Sequence, residues 1–442
     1  MLDSEINTEG ILEEFGIQFD SRPVISQFGG MAPFVQLLKK GKIRERLAEQ
    51  IGGKKARSVM QVLLSIICGG SDMEDCERVG TDRLMKKYLR KRVDATQLTR
   101  DFKSFSKEQI EKLHEFNMSL AILEIVQDIP QKETLVLDID ATSVEKHGSQ
   151  EGVELGYIER DKIDYCYQYL FFHLFNLRTF LYGTIRGGST HSQNGFCSYL
   201  ERFLPMFRKQ WKLAIRCDAG YFNEEAFDVC SENDTTFYVK APMIEQRYKQ
   251  VNYADLNWLG EDKNSKVVYA STLTKTEKGT NFREIFRRTL IEDKNQFSLI
   301  PNYRYDCLAT NDFIKTEWDA FEFYNGRANI ENNIRELKND YHLGKIATSS
   351  FDANDVITQI TLLAYILMQH FKRKALPKEM ARMQLGTLRW RIFNIPGKII
   401  SSGRRELTRL YNIFANSRLY EIIFYKVKHL NSWVLAPPIL SA

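Results

Sequence analysis

Two short apolar runs that each end in an aspartate constrain the fold more than any other feature of this sequence. ETLVLDIDAT predicts a strand with Asp138 and Asp140 on one face, and KLAIRCDAG predicts a buried strand ending at Asp218. Between them, YCYQYLFFHLFN and RTFLYGTIRGG predict two strands joined as a hairpin at 176–178, and THSQNGFCSYLERFLPMFRK predicts a helix. NEEAFDVCSEN then predicts a helix with Asn223 as a candidate N-cap. The order strand, strand, strand, helix, strand, helix predicts a mixed α/β fold.

The pattern divides the chain into five segments. Residues 1–133 are predicted to be helical and contain a basic cluster, LMKKYLRKRVD, whereas 134–233 hold the mixed α/β order. Short β-like runs such as TTFYVKAP and FREIFRRTLI fill 234–311. Residues 312–371 return to helix and include VITQITLLAYILMQHF, which is too short and too polar to span a bilayer and is predicted to be a buried helix. A basic C-terminal segment follows over 372–442.

A stretch late in the chain, YNGRANIENNIRELKND, predicts an amphipathic helix with a polar row along one edge of its buried face. At about 100° per residue, this row falls within an arc of roughly 60°. Its members are Tyr324, Arg327, Glu331 and Lys338, beside an apolar stripe of Phe323, Ile330, Ile334 and Leu337. A half-sheltered functional face has such a row, but an ordinary solvated face with a Glu331–Arg335 ion pair fits the same spacing.

Positive charge is concentrated near the C-terminus. The whole chain carries a formal net charge of +5, whereas residues 372–430 contain 14 Lys and Arg against 3 Asp and Glu, or +11. Trp390, Tyr411, Tyr420 and Tyr425 lie among these cations. Cations interleaved with aromatic residues are typical of a surface that binds a phosphate backbone, although a solvated helical face has the same composition.

The bulk composition predicts a folded, intracellular protein. Hydrophobic residues make up 43% of the chain and charged residues 27%, which leaves ample apolar material for a core. The seven cysteines are an odd number without a CxxC pair, so we expect reduced thiols and no structural zinc. The N-terminal MLDSEINTEG is acidic and contains no apolar run, so no signal peptide is expected.

Three carboxylates occupy positions from which they can converge. Asp140 and Asp218 lie at strand ends, and Glu331 lies on the late helix beside its apolar stripe. Three acidic groups in one site repel each other unless cations are present. Oxygen-only ligands suit Mg²⁺ or Mn²⁺. Two such ions about 4 Å apart can activate a water or a 3′-hydroxyl and stabilise the leaving oxygen in phosphodiester cleavage.

These motifs together resemble the DDE transposases, and in particular the bacterial insertion-sequence group named for its YREK signature. That signature is Tyr, two residues, Arg, three residues, Glu, six residues, Lys, and the polar row at 324–338 has this spacing. DIDAT, with Asp140 and Thr142, resembles the first Asp motif of the group, and DAGYF, with Asp218 and Gly220, resembles the second. The β segment between Asp218 and Glu331 is similar to the β-insertion of the group, and HGSQEG to a stretch found in one of its subgroups. The resemblance covers roughly residues 20–371.

The resemblance implies a fold and a domain order. The fold would be α/β, a ribonuclease-H-like mixed sheet with helices, interrupted by a β-rich insertion. An α-helical N-terminal domain would precede it and a basic, mainly helical C-terminal domain would follow. On this basis 1–133 would bind DNA, 134–233 and 312–371 would form the two parts of the catalytic core, and 234–311 would be the insertion.

The resemblance also implies an activity and its residues. The protein would catalyse cut-and-paste transposition through a hairpin intermediate, with Asp140, Asp218 and Glu331 as catalytic residues that bind two Mg²⁺ ions, or Mn²⁺ as a substitute. Tyr324, Arg327 and Lys338 would bind phosphates of the cleaved end, for which Arg and Lys form strong charge-assisted hydrogen bonds. Its partners would be double-stranded DNA, both terminal inverted repeats and target, and a second copy in a homodimer. The location would be the bacterial cytoplasm, in association with the nucleoid.

Two alternatives and two open positions remain at this stage. A metal-dependent nuclease that cuts without joining, or a domesticated protein that only binds DNA, has the same broad features. Many relatives have Trp directly after the signature Arg, where this chain has Ala328, so the base-stacking role is unassigned and Trp258 is a weak candidate. Asp138 shares a face with Asp140 and is a ligand, a supporting residue or a strand residue with a structural hydrogen bond.

Overall fold

The computed structural model describes residues 25–159, 162–253, 256–260, 266–291, 302–402, 405–411 and 415–430. Its helices are α1 Ala32–Lys40, α2 Ile43–Ile51, α3 Gly53–Cys68, α4 Met73–Thr81, α5 Arg83–Leu89, α6 Ala95–Lys103, α7 Lys107–Asp128, α8 Phe196–Phe207, α9 Glu224–Glu232, α10 Glu245–Tyr253, α11 Glu317–Asn325, α12 Ala328–Asn339, α13 Phe351–Lys374, α14 Leu385–Leu388 and α15 Ser417–His429. Its strands are β1 Ile25–Ser26, β2 Thr134–Glu145, β3 Glu154–Glu159, β4 Lys162–Leu174, β5 Thr179–Gly187, β6 Lys212–Cys217, β7 Thr235–Ala241, β8 Leu259–Gly260, β9 Val267–Lys275, β10 Asn281–Ile291, β11 Asn302–Thr310, β12 Gly397–Ser402 and β13 Arg405–Leu410.

The centre of the fold is a mixed sheet in the order β5–β4–β2–β6–β7. Strand β2 pairs antiparallel with β4 and parallel with β6, and β6 pairs parallel with β7. The predicted hairpin of β4 and β5 is confirmed, as are the helices α8 and α9 and the N-cap at Asn223. The predicted elements therefore occur in the predicted order, with one strand that the sequence did not predict: β3, between β2 and β4 in the chain, which pairs with β4.

The sheet continues past β7 through strands of the predicted β-rich segment. Strand β11 pairs antiparallel with β7, and β10, β9 and β8 follow in turn. The boundary predicted between 233 and 234 therefore separates β6 from β7, which are neighbours in one sheet. The division into domains remains a prediction.

Two apolar cores lie on opposite faces of the sheet, because successive side chains of a strand point to opposite sides. Phe172 of β4 belongs to a core formed with α8 and α9, represented by Phe203 and Phe227. Its neighbour Phe171 belongs to a larger core on the other face. That larger core includes α13, which is buried over most of its length, as the sequence predicted.

The larger core packs the N-terminal helices against the C-terminal segment. It combines side chains of the N-terminal helices with others from the C-terminal segment, among them Leu63, Leu363, Phe393 and Ile423. The N-terminal region is helical over 32–128, as predicted, and residues 1–24 lie outside the described part. Helices α4 to α7 begin where local capping favours them, because Asp72, Asp82, Asp94 and Ser106 each accept a backbone N–H.

The C-terminal segment differs from the prediction in two respects. It contains a hairpin of β12 and β13, which pairs with β1 near the N-terminus, in addition to helix. Tyr420 is buried and donates to the carbonyl of Ile392, so it does not belong to the exposed aromatic surface that the sequence suggested. Trp390, Tyr411 and Tyr425 are exposed, as expected.

The predicted state of the cysteines agrees with the structure. All seven cysteines are free thiols, and only Cys197 is not buried. None of the helices in the described ranges is long and apolar enough to cross a membrane.

Candidate active site

Asp140 and Asp218 lie side by side because they follow the last paired positions of two adjacent parallel strands. The parallel register of β2 and β6 ends at Ile139 and Cys217. Asp218 follows the last residue of β6, at Cys217. The expectation that Asp140 ends its strand is wrong, because β2 continues to Glu145 beside β4; Asp140 is the position at which the pairing with β6 stops. Asp218 also begins a tight turn, in which its Oδ1 accepts the N–H of Gly220 at 3.0 Å. The carboxyl ends of adjacent parallel strands are a common place for a ligand site.

The predicted continuous helix at 324–340 is wrong, because the chain forms two helices that meet at Gly326 and Arg327. In an unbroken helix the N–H of Arg327 would bond to the carbonyl of Phe323. Nη1 of Arg216 takes that carbonyl at 2.7 Å, and the N–H of Arg327 bonds to Tyr324 instead, at 2.9 Å. A side chain at Gly326 would clash with Arg216, which explains the glycine.

The guanidinium of Arg327 lies among all three predicted catalytic carboxylates. Its Nη2 is 3.1 Å from Oδ1 of Asp140 and 3.8 Å from Oδ2 of Asp218. Its Nη1 is 3.1 Å from Oε1 of Glu331, one turn further along α12. Because Oδ1 of Asp140 and Oδ2 of Asp218 both lie near Nη2, these two oxygens are no further apart than the sum of the two distances. Strand β2, the end of β6 and the first turn of α12 thus bring the three acids around a single cation.

Burial and mutual repulsion set the electrostatics of this cluster. Burial raises the pKa of Asp140 to about 7; Arg327 opposes that rise, whereas Asp218 and Glu331 add to it. Burial lowers the pKa of Arg327, but Asp140, followed by Tyr324 and the other two carboxylates, more than offsets this and holds the pKa above its usual range. The acids therefore require positive charge nearby, and Arg327 supplies one unit of it.

The donor set suits a hard divalent cation, but its present spacing does not form a finished metal site. Three carboxylates supply only oxygen ligands, which Mg²⁺ and Mn²⁺ prefer. Within the part of the chain that the structure describes, no group of three or more His, Cys, Asp and Glu side chains is arranged to hold a metal ion. At the three acids, the guanidinium of Arg327 lies between the oxygens that would have to share an ion.

Two clefts adjoin the cluster, and the six predicted site residues are divided between them. One cleft of about 380 Å³ is lined by Asp218, Tyr324 and Arg327, together with residues of β7, β10 and β11. The other, of about 250 Å³, is lined by Asp140, Glu331 and Lys338 with neighbours on β2 and α12. Each of the six residues therefore borders one of the two clefts. Tyr324 belongs to α11 and not to the helix of Glu331.

Lys338 and Tyr324 also have structural roles. Nζ of Lys338 donates to the carbonyl of Ser143 at 2.8 Å and so ties α12 to β2, the strand of Asp140. Tyr324 packs against the apolar cluster that includes Phe321, and burial raises the pKa of its hydroxyl. Neither contact prevents the polar end of the side chain from bordering its cleft.

Asp138 is not part of the cluster. It is fully buried, and its two oxygens accept from Nε and Nη2 of Arg216 at 2.6 and 2.9 Å. Nδ1 of His173 lies 3.8 Å from the same carboxylate, and Nε2 of His173 contacts the amide of Asn333 on α12 at 2.7 Å. This buried network connects the two aspartate strands to both helices of the junction.

Arg216, Lys240 and Arg287 are site residues that sequence reasoning missed. A cation within the apolar run LAIRC, two residues before Asp218, was the available indication of a buried partner for Arg216. Lys240 and Arg287 come from different strands and meet at the 380 Å³ cleft, where both pair with Asp306, at 3.0 and 2.6 Å. Only the pairing of the strands brings them together.

Three aromatic residues near these motifs have partners within the protein. Tyr221 of DAGYF is buried, and Phe222 lies under the guanidinium of Arg247, 4.6 Å from ring centroid to Cζ. The ring of Trp258 lies 4.4 Å from Cζ of Arg288. A base-stacking role for Trp258 therefore remains a prediction without support from its contacts.

The chain was compared with known proteins. A family model described as transposase DDE domain group 1 matches residues 21–432. Among solved structures, a cryo-EM structure of a piggyBac transposase synaptic complex with hairpin DNA is similar, with 10% sequence identity and a TM-score of 0.40 over 77% of this chain and 71% of that chain. At that TM-score the likeness supports no conclusion about the site. The comparison with curated proteins returned no match.

Proposed function

Because the chain belongs to the transposase DDE domain group 1 family, we propose that it is a cut-and-paste DNA transposase that cleaves transposon ends and joins their 3′-hydroxyls to target DNA. The finer assignment, to the bacterial insertion-sequence group with the YREK signature, belongs to this proposal. So do the hairpin intermediate and a homodimer that pairs two ends in the bacterial cytoplasm, at the nucleoid. These rest on the spacing of Tyr324, Arg327, Glu331 and Lys338.

The observation that carries the proposal is the convergence of Asp140, Asp218 and Glu331 on one guanidinium. These residues are far apart in the sequence and belong to three different elements. The sheet order β5–β4–β2–β6–β7, with β2, β6 and β7 parallel, supports a ribonuclease-H-like core. In such a core Asp140 on β2, Asp218 after β6 and Glu331 on α12 would form the catalytic site.

The three carboxylates would hold divalent ions, two Mg²⁺ or Mn²⁺ in their place, and ions so placed lower the pKa of a bound water and neutralise charge on the leaving oxygen. The protein's own cations would act on the DNA. Lys338 borders the cleft that also contains Asp140 and Glu331, where its ammonium can approach a phosphate next to the scissile bond. Tyr324 and Arg327 border the second cleft, on the side of Asp218.

A strand-transfer assay on the full-length chain tests this function. The substrate is a labelled duplex that carries the inverted repeat flanking the gene, incubated with Mg²⁺ and a supercoiled target plasmid. We expect cleaved ends, hairpins and label covalently joined to the plasmid. Cleavage without joining identifies a nuclease and overturns the transposase proposal, and binding without cleavage identifies a DNA-binding protein.

The basic C-terminal surface is smaller than its composition suggested. Lys372 is buried against Glu336, Arg373 and Lys374 pair with Glu124 and Asp128, and Arg389 donates to backbone carbonyls of α3. Cations of this segment that are exposed include Lys378, Arg382, Arg391, Lys398, Arg409 and Lys428. The exposed subset, beside Trp390 and Tyr425, is the part that we expect to contact DNA phosphates.

Neutralising exposed cations of this segment should weaken the dependence of DNA binding on salt. In the triple variant Arg391→Gln, Lys398→Gln, Arg409→Gln, the slope of log K against log[salt] should fall by about 0.9 for each phosphate that the protein no longer neutralises. Fluorescence anisotropy with random-sequence duplex over a salt series measures the slope. The control changes Lys132, Lys209 and Lys212 to Gln, which are equally exposed but lie near the start of β2 and β6, away from the aspartate ends. An unchanged slope in the C-terminal variant would show that this surface does not contact DNA phosphates.

A further inference from the structure

Arg327 occupies the position that a shared metal ion would need. One of its nitrogens, Nη2, contacts Asp140 and Asp218 together, and the other contacts Glu331. An ion held by both aspartates through these two oxygens would lie close to where Nη2 now lies. A guanidinium and a divalent cation at that distance repel each other strongly in a partly buried site. The carboxylates can therefore be neutralised by Arg327 or by metal, but not by both in this arrangement.

The contacts that hold Arg327 in place are incomplete. Only the contact with Glu331 is a hydrogen bond; those with Asp140 and Asp218 are ion pairs. Nε of Arg327 is buried and has no hydrogen-bond partner among the described residues. A buried donor without a partner is unfavourable, so a position that satisfied Nε would compete with the observed one. The guanidinium is held mainly by charge.

The structure also offers a place to which Arg327 can move. The side chain borders the 380 Å³ cleft beside Tyr324 and Asn325, at the junction between α11 and α12. Lys240 and Arg287 line the same cleft, where both pair with Asp306, so the cleft has cations beside the place that a phosphate would take. A phosphate of bound DNA in this cleft would give the guanidinium a new anionic partner with good hydrogen-bond geometry.

We propose that Arg327 is an exchangeable counterion, which neutralises Asp140, Asp218 and Glu331 in the free protein and transfers to a DNA phosphate when divalent metal binds. This inference rests on the proposed function. Metal and DNA both favour the displaced position of Arg327, so each must increase the affinity of the other by the same factor. The free protein then binds metal weakly, and the site is completed only when DNA is present.

Metal titration of the full-length chain tests the proposal without measuring catalysis. Isothermal titration calorimetry with Mn²⁺ and no DNA should show affinity for Arg327→Gln about tenfold or more above wild type, within the usual range of coupling between sites. The matched control is Arg100→Gln, the same change at an exposed arginine on α6 that lines neither of the two clefts. The control should bind Mn²⁺ as wild type does. Equal or weaker affinity in Arg327→Gln would overturn the proposal.

A second measurement uses the wild-type protein and so does not depend on the folding of a variant. Its affinity for Mn²⁺ should rise by a similar factor when a duplex carrying the end sequence is present, after subtraction of Mn²⁺ binding by the duplex alone. An affinity that does not change with DNA would contradict the exchange. Tighter metal binding by Arg327→Gln in a protein that neither cuts nor joins DNA would keep the counterion role and reject the transposase. Normal strand transfer, with Mn²⁺ affinity that changes neither in Arg327→Gln nor with DNA, would keep the transposase and reject the counterion role.

Discussion

Replacing Asp218 by Asn, or Glu331 by Gln, should reduce cleavage of an end-containing duplex by roughly 10³-fold or more while DNA binding stays nearly intact. Each change removes a negative charge from the cluster without changing the size of the side chain. Loss of a metal ligand forfeits several kcal/mol of charge stabilisation in the transition state, and about 4 kcal/mol corresponds to roughly 10³ in rate. The basic surfaces that bind phosphates are not altered, so affinity for DNA should persist.

Single-turnover cleavage with Mg²⁺, beside an anisotropy titration with the same duplex, measures both quantities. The matched control is Glu322→Gln, an exposed glutamate on α11 that is not among the contacts of Arg327. The control should cleave at the wild-type rate. If Asp218→Asn or Glu331→Gln also cleaves at that rate, the substituted residue is not catalytic, and a loss of DNA binding in parallel with cleavage would point to a role in binding.

Asp138→Asn should lower the free energy of unfolding by about 3–5 kcal/mol, the usual cost of breaking a buried ion pair by removing one partner. Both side chains are almost completely buried, and Arg216 would lose its only carboxylate among the described contacts. Such a loss is a large part of the stability of a typical domain. Because Arg216 also sets the bend before Arg327, the variant should loosen the junction of α11 and α12.

Urea unfolding followed by circular dichroism measures the change. The double variant Asp138→Leu, Arg216→Met provides the comparison, since replacing both partners by apolar residues of similar size is often close to neutral. It should therefore recover much of the lost stability. An Asp138→Asn protein that is as stable as wild type but no longer cleaves DNA would place Asp138 in the catalytic cluster, against its contacts in this structure.

Local patterns were sufficient for most of the elements. Alternating and continuous apolar runs located the strands that carry Asp140 and Asp218, and capping residues such as Asn223 located helix starts, because these preferences act over a few residues. The order and chemistry of Asp140, Asp218 and Glu331 also identified, from the sequence, the acids that the fold brings together. The basic composition of 372–430 was also evident from the sequence. The sequence did not show which of these cations form ion pairs with α7 and α12 and are therefore not free to bind DNA.

The break between α11 and α12 was decided by tertiary contacts. Helical periodicity in the sequence continues through Gly326, and nothing local stops the helix there except one glycine. What ends it is the side chain of Arg216, more than 100 residues earlier, which takes the carbonyl that the next turn of helix would have used. A competing hydrogen-bond donor from a distant strand leaves no trace in local spacing.

Tertiary contacts also decided the position of Arg327. From the sequence it belonged to a phosphate-binding row, with Glu331 as its neighbour on the helix. In the fold, the bend and the adjacent strands β2 and β6 place its guanidinium between Asp140, Asp218 and Glu331. The sequence by itself indicated the three acids of the cluster, because residue chemistry and order are local information. It did not indicate the pairing of Arg216 with Asp138, or of Lys240 and Arg287 with Asp306. The tertiary structure decided which of these groups neutralises which, because that depends on distances between elements that only packing sets.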